Sequence, residues 1–291
     1  MGWIGASIHT ALGGAFVAAS AWFLAEYFTR KRRMALPSIV LVLAFSGGVF
    51  ATMVGVLVRH GEAIFGHSPS ETVGAILVGA MALITAAATW AHWKRFMVPI
   101  TVAAGTAALA ATAVALVLAI TGMPSPDGTL PMVLVLIAGI GVFTLAMWWD
   151  RSDRVRQTRR SDVAFWLHLL AAPMIAHPLF HWLGITEGQT VGAAGAVLVL
   201  AVYVLFGLVA LAIDRRALLV SALAYVLFAL TDLFSEYGMV ELNVALTALI
   251  IGSALLTLSA FWTPIRKGVV AKLPGQVRGM LPISGAIGAA A

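Results

Sequence analysis

Residues 93–120 read WKRFMVPITVAAGTAALAATAVALVLAI. Two basic residues, Lys94 and Arg95, precede a run of 24 residues, 97–120, that carries no charge. A helix needs about 20 mostly apolar residues to cross the hydrocarbon core of a bilayer. The run is long enough, and the basic pair at its head marks the side from which it enters.

The same pattern recurs along the chain. Nine stretches qualify as spans: 5–28, 36–58, 71–92, 97–120, 130–149, 163–184, 190–213, 217–237 and 241–263. Their connections are short. Of the 291 residues, 61 % are hydrophobic and 10 % charged. A soluble domain carries roughly 25 % charged residues, so a soluble fold of this size could not cover its surface. Disorder is excluded by the same figures, because it requires low hydrophobicity and high charge. The expected fold class is an all-α integral membrane protein, a bundle of nine transmembrane helices. Residues 1–263 form a single polytopic transmembrane domain, and 264–291 a basic cytoplasmic tail, interfacial or disordered.

Charge placement orients this bundle. Seventeen of the 18 Lys and Arg residues fall at the ends of odd-numbered spans, in the groups 30–33, 94–95, 151–160, 215–216 and 266–278. Arg59 alone falls on the other side. By the positive-inside rule the N-terminus is outside and the C-terminus cytoplasmic. The first span lacks a basic n-region and a cleavage site, and is expected to be a retained helix. Trp3, Trp90, Trp93, Trp148, Trp149, Trp182 and Trp262 sit near span ends, as an aromatic belt would. The net charge of +6 therefore serves topology and does not point to nucleic acid. The expected partners are the lipid bilayer and either other membrane subunits or a second copy of the chain. Small-residue runs such as GGAFVAAS, AAGTAALAATA and VGAAGAV would support close helix packing.

Four spans start after a basic stretch, in KRRMALPSIV, WKRFMVPITV, RRSDVAFWLH and DRRALLVSAL. Their starts lie 61, 66 and 54 residues apart, which fits one helix followed by four parallel hairpins. Re-entry from the cytoplasmic side gives the same pattern without any repeat.

Ionisable groups inside a membrane are costly and mark candidate sites. The sixth span, DVAFWLHLLAAPMIAHPLFHWLG at 162–184, holds His168, His177 and His181 together with Pro173 and Pro178. His177 and His181 are four apart and share a helix face. The prolines remove two N–H donors, so a kink or break is expected across 173–178, with free carbonyls at Leu169 and Met174. Irregular backbone at that depth must be covered by protein or water. The eighth span ends ALTDLFSEYG, where Asp232 and Glu236 are again four apart. Counted from the outer ends of their spans, Asp232 lies about six residues deep and His177 about seven, so the two pairs could face one another. His plus carboxylate suits a divalent metal held by His177, His181 and Asp232. It equally suits a proton relay. A structural ion pair remains open.

The outer loop RHGEAIFGHSPSE, with His60, Glu62, His67 and Glu71, and the outer residues His9 and Glu241 have a loose metal-binding composition. A solvated loop accounts for it equally. Glu26 is expected to pair with Arg30. Cysteine is absent, which removes thiolate ligands and disulfides. No ATP-binding loop, H-E-x-x-H or G-x-S-x-G motif occurs. No mid-membrane lysine is present for a retinal Schiff base, and no arginine periodicity of a voltage sensor. Haem b would need His9 with His177 or His181, or His92 with His168, and is less favoured than a divalent metal.

The stretches RKRRMALPSIVLVLAF, RRSDVAFWLHLLAAPMIAHPLF, AIDRRALLVSALAYVLFAL and FWTPIRKGVVAKLPGQVRGMLP resemble multi-span membrane proteins of proteobacteria that have no assigned activity. The resemblance implies a bacterial inner-membrane location and carries no ligand or catalytic residue. The expected function is transport of a small ion or solute, channel-like or carrier-like, through a polar site between helices six and eight. The alternatives are a non-catalytic accessory or scaffold subunit, and a membrane enzyme acting on a lipid or quinone with His177 as base.

Overall fold

The computed structural model describes the backbone of residues 2–65, 70–122, 128–184, 192–236 and 243–283. It describes the side chains of those residues apart from 2–9, 61–65, 192–193, 224, 228, 232–236, 243–244 and 246–248. Every long element among them is a helix. They are α1 (Gly2–Ala25), α2 (Ala35–Phe65), α3 (Glu71–Phe96), α4 (Pro99–Thr121), α5 (Thr129–Ser152), α6 (Arg159–Trp182), α7 (Gly192–Ile213), α8 (Ala217–Glu236), α9 (Asn243–Ala260), α10 (Trp262–Ala271) and α11 (Gly275–Arg278). A π-helical turn, Glu26–Lys31, continues α1.

Among the described residues, seven helices are long and apolar enough to cross a membrane, in α1 with its π-helical turn and in α2 through α7. A further pair, Leu249–Ala260 with Trp262–Ala271, passes the same test as a span bent by 74°. The helices turn large apolar side chains outward: Ile120 is 85 % exposed, Phe16 73 % and Phe23 72 %. In water such a surface is a liability; against lipid it is matched to its solvent. The architecture is that of a multi-pass helical membrane protein.

The chain divides into two compact units, residues 1–134 and 135–291. In the first unit the most extensive packing joins α1 to α2 and α3 to α4. The hairpins expected from the repeat would have paired α2 with α3 instead. Glycine explains the α1–α2 contact. A Cβ on Gly48 would meet the Ala18 nitrogen and the Gly14 oxygen at 2.7 Å, and one on Gly14 would meet the Thr52 nitrogen at 2.6 Å. The small-residue run of the first span is therefore consumed inside this chain. Between α3 and α4 the turn is set locally. Met97 is left-handed (φ 54°), Val98 is extended, and Pro99 occupies the first helical position, where its missing N–H costs nothing.

The second unit has a continuous core from α6 to α10. Ala172, Ala176 and Phe180 of α6 pack with Ala222, Val226 and Ala229 of α8, and with Val199, Phe206 and Ala210 of α7. Alanine faces let these backbones approach where lipid supplies no hydrophobic drive. α6 is one continuous helix through Pro173 and Pro178. Of the kink or break expected across 173–178, the break is absent. Pro173 is exposed and Pro178 buried, so the segment is not enclosed as a whole either. Ala171, Ala172, Ala176 and Phe180 are all 0 % exposed, and this packing holds the turns around the prolines. Unwinding would strand more backbone polar groups in an apolar environment than the two donors already lost.

Candidate functional site

Packing brings α6 and α8 together, as the distribution of polar residues suggests. His177 of α6 meets Tyr225 of α8, with Nδ1 and the hydroxyl oxygen 2.9 Å apart. Tyr225 stacks on Phe180, with ring centroids 4.5 Å apart and planes at 11°. His181 follows one turn along α6, its ring centroid 6.4 Å from that of His177. Both imidazoles are partly exposed. Among the described residues the partner of His177 is a hydroxyl.

Asp232 and Glu236 belong to α8, but their side chains lie outside the described residues. Asp232 comes seven residues after Tyr225, on the same helix face and about 10 Å further along the axis. Among the described residues, no three His, Asp or Glu side chains gather as a metal site would need. The side chains of His9, Glu62 and His67, and all of Glu241, are outside the described residues too; His60 and Glu71 are exposed.

A second polar centre lies at the other end of α6, around residues with no shared spacing in the sequence. Asp150, at the end of α5, is 0 % exposed. One carboxylate oxygen accepts from Arg215 Nη2 at 2.7 Å; the other lies 3.1 Å from His168 Nε2. Arg215 also donates to the Ser161 carbonyl at 2.9 Å. The His168 ring nitrogen that faces the carboxylate must carry the proton for this contact to be a hydrogen bond. Its Nδ1 is then a buried acceptor, and no hydrogen bond reaches it among the described residues.

Beside this triad, Asp214 accepts from Arg156 Nη1 at 2.9 Å and from the Trp262 indole N–H at 2.7 Å. Arg156, in the loop between α5 and α6, and Asp214, directly after α7, are both left-handed (φ 59° and 58°). The aspartate tolerates that geometry through local hydrogen bonding. Arg156 adopts it while donating to the Ile213 carbonyl at 3.1 Å. Burial lowers the Arg156 pKa, and the positive charge of Arg215 works in the same direction. Burial pushes Asp153 up, but hydrogen bonds from Thr158 and Gln157 outweigh it and hold that carboxyl below its usual value.

The tail closes on the same centre. Arg266 of α10 is 2 % exposed and donates to the Pro282 carbonyl at 2.9 Å; Arg154 donates to the Leu281 carbonyl at 2.9 Å. Trp262, Arg266, Leu281 and Pro282 are the buried contacts of this segment, and most of the other residues between 263 and 283 are exposed; residues 284–291 are outside the described ones. The sequence does hold a signal for the cluster. In WWDRSDRVRQTRRSD and AIDRR, Asp150 and Asp214 stand directly before arginines at the ends of spans. An acid in a loop otherwise rich in arginine is the unusual residue.

In the first unit, His92 is fully buried among Trp22, Phe45 and Phe96, with ring centroids 5.8, 5.2 and 4.5 Å away. Its Nδ1 is 3.5 Å from the Thr101 hydroxyl. His92 and His168, the inner pair considered for haem, are each enclosed by the packing of their own unit. Glu26 pairs with Arg30 at 3.2 Å, as expected, and more closely with Arg95 at 2.7 Å. That contact joins the ends of α1 and α3, two of the basic ends that the charge pattern places on one side. In comparisons with known proteins, no family model, no curated protein and no solved structure matches the chain.

Proposed function

We propose that the chain is a nine-span protein of a bacterial inner membrane, N-terminus outside and C-terminus cytoplasmic, that moves a small ion or solute across the bilayer. The transport site is the α6–α8 face, with the titratable His177 and His181 as proton acceptors or ligands. Asp232 and Glu236 supply charge toward the outer end. The observation that carries this is the His177–Tyr225 contact: a titratable ring hydrogen-bonded between two packed helices at membrane depth. Groups so placed line pathways and relays, because an apolar pair would pack there at lower cost.

The cluster of Asp150, His168 and Arg215 serves this site as an anchor. It fixes the starts of α6 and α8 against α5, so the two helices present their polar faces in register. The topology is supported by the basic ends that come together within each unit, at Glu26–Arg95 and at Arg156–Asp214.

The test is flux in proteoliposomes, followed with a pH-sensitive dye and a panel of monovalent and divalent ions. Asp232→Asn and His177→Ala should each abolish flux while expression and melting temperature stay near wild type. Unchanged flux in both would remove the site and leave the accessory-subunit alternative in its place.

A further inference from the structure

A cleft of about 230 Å³ opens in the second unit between α7, α8, α9 and the start of α10. It is smaller than the roughly 300–1,000 Å³ that enclose a drug-sized molecule. Its walls are apolar, from Leu219 and Leu223 of α8 and Leu255 of α9, with Tyr203 of α7 further along. Arg216, Ser259 and Trp262 are its polar residues at the α8 start.

Arg216 differs from the arginines around it. Arg156 and Arg215 are each tied to a carboxylate, and Arg266 lies 3.7 Å from one. Arg216 is exposed and has no carboxylate partner among the described residues. Its guanidinium sits 4.6 Å over the Trp262 ring and donates to the Ser259 hydroxyl at 3.3 Å. Trp262 is held in turn by its bond to Asp214. These four arginines face two aspartates, Asp150 and Asp214, so the locality carries two positive charges in excess.

The geometry of the cleft follows from its helices. Arg216 precedes Leu223 by seven residues, about 10 Å of axial rise, and Tyr203 stands ten residues before the end of α7, about 15 Å away. A cation therefore sits at one end of a narrow apolar trough that runs along the helices. Val220, one turn after Arg216, is 65 % exposed, so the trough opens sideways toward the surrounding lipid.

We propose that this cleft binds one anionic glycerophospholipid, with its phosphate on Arg216 and Ser259 and an acyl chain laid along the leucines toward Tyr203. A solute without a long apolar chain would leave the walls uncovered. A neutral lipid would leave the excess charge uncompensated. Basic pockets between membrane helices on the positively charged side recognise anionic headgroups by this combination. The site is independent of transport through the α6–α8 face.

Native mass spectrometry of the full-length protein in mild detergent tests it. Phosphatidylglycerol and phosphatidylcholine of identical chains are offered at equal concentration. Phosphatidylglycerol should be retained at least fivefold over phosphatidylcholine. Arg216→Gln should erase that preference, and Arg216→Lys should keep most of it. Leu223→Trp, which fills the trough and leaves Arg216 in place, should remove retention of both lipids. Lys272→Gln, at an exposed position just after α10 and outside the cleft, should change nothing. Melting temperatures without added lipid identify variants that fail to fold. Equal retention of the two lipids, or Arg216→Gln binding as wild type does, overturns the proposal. So does displacement by inorganic phosphate, which would mean that the acyl chain contributes nothing. Altered self-association in Leu223→Trp with lipid retention intact overturns it as well, by making the cleft a contact between copies.

Discussion

The two units are built from the same apolar residue types, yet they handle charge in opposite ways. In residues 1–134 the ion pairs of Glu26 sit at the surface, with 30 % of the glutamate and 42 % of the Arg95 side chain exposed. The interior there is aromatic and small-residue packing, with the buried His92 among rings. In residues 135–291 the carboxylate of Asp150 is fully buried, and Arg215 keeps 11 % of its side chain exposed. An exposed pair gains little, because water screens it and two long side chains lose freedom. A buried pair is different: its charges are already desolvated, so loss of one partner strands the other. The first unit is held by shape and the second partly by charge.

The sharpest way to break that contrast is Asp150→Ala. It leaves Arg215 without its carboxylate and His168 without an acceptor, and should destabilise the protein by about 3–5 kcal/mol. Thermal unfolding in detergent reads the loss. The double variant Asp150→Leu with Arg215→Met should recover much of it, because an apolar pair of similar volume replaces a desolvated ionic one. If the single and double variants melt together, the cluster is not an ion-pair anchor.

The first unit should respond to shape instead. Gly48→Ala places a methyl against the Ala18 and Gly14 backbones and should cost about 1–3 kcal/mol through forced separation of α1 and α2. Its neighbour Gly47 has nothing within 4 Å, so Gly47→Ala should be neutral or slightly stabilising. Equal effects at the two positions would mean that the close approach is not what holds these helices. The smallest effect belongs to Arg95→Gln. It should lower the melting temperature by a degree or less, and the difference should vanish in high salt.

Much of this was legible before any packing was known. The helix boundaries fall within a few residues of the expected spans for α3, α4 and α7, because charge and proline mark their ends. The Glu26–Arg30 pair follows from i, i+4 spacing alone. The meeting of α6 and α8 was readable from polar residues placed at equal depth. The identity of the His177 partner was not: Tyr225 reads as an ordinary aromatic in an apolar run, and only helix rotation selects it. The continuity of α6 through its prolines was not legible, because local rules count lost donors and not the packing that compensates them.

Apolar run length and the placement of basic residues by themselves dictate a multi-pass helical membrane chain, since bilayer thickness and leaflet charge act on each segment one at a time. Which glycines touch backbone, which aspartates lose all water, and where the tail docks depend on several helices meeting at once. The polar contacts among them join residues 57 to 127 positions apart, as in Arg156 with Ile213 and Asp214, Asp150 with Arg215, and Arg154 with Leu281. No periodicity or spacing rule spans such separations, so packing decided them.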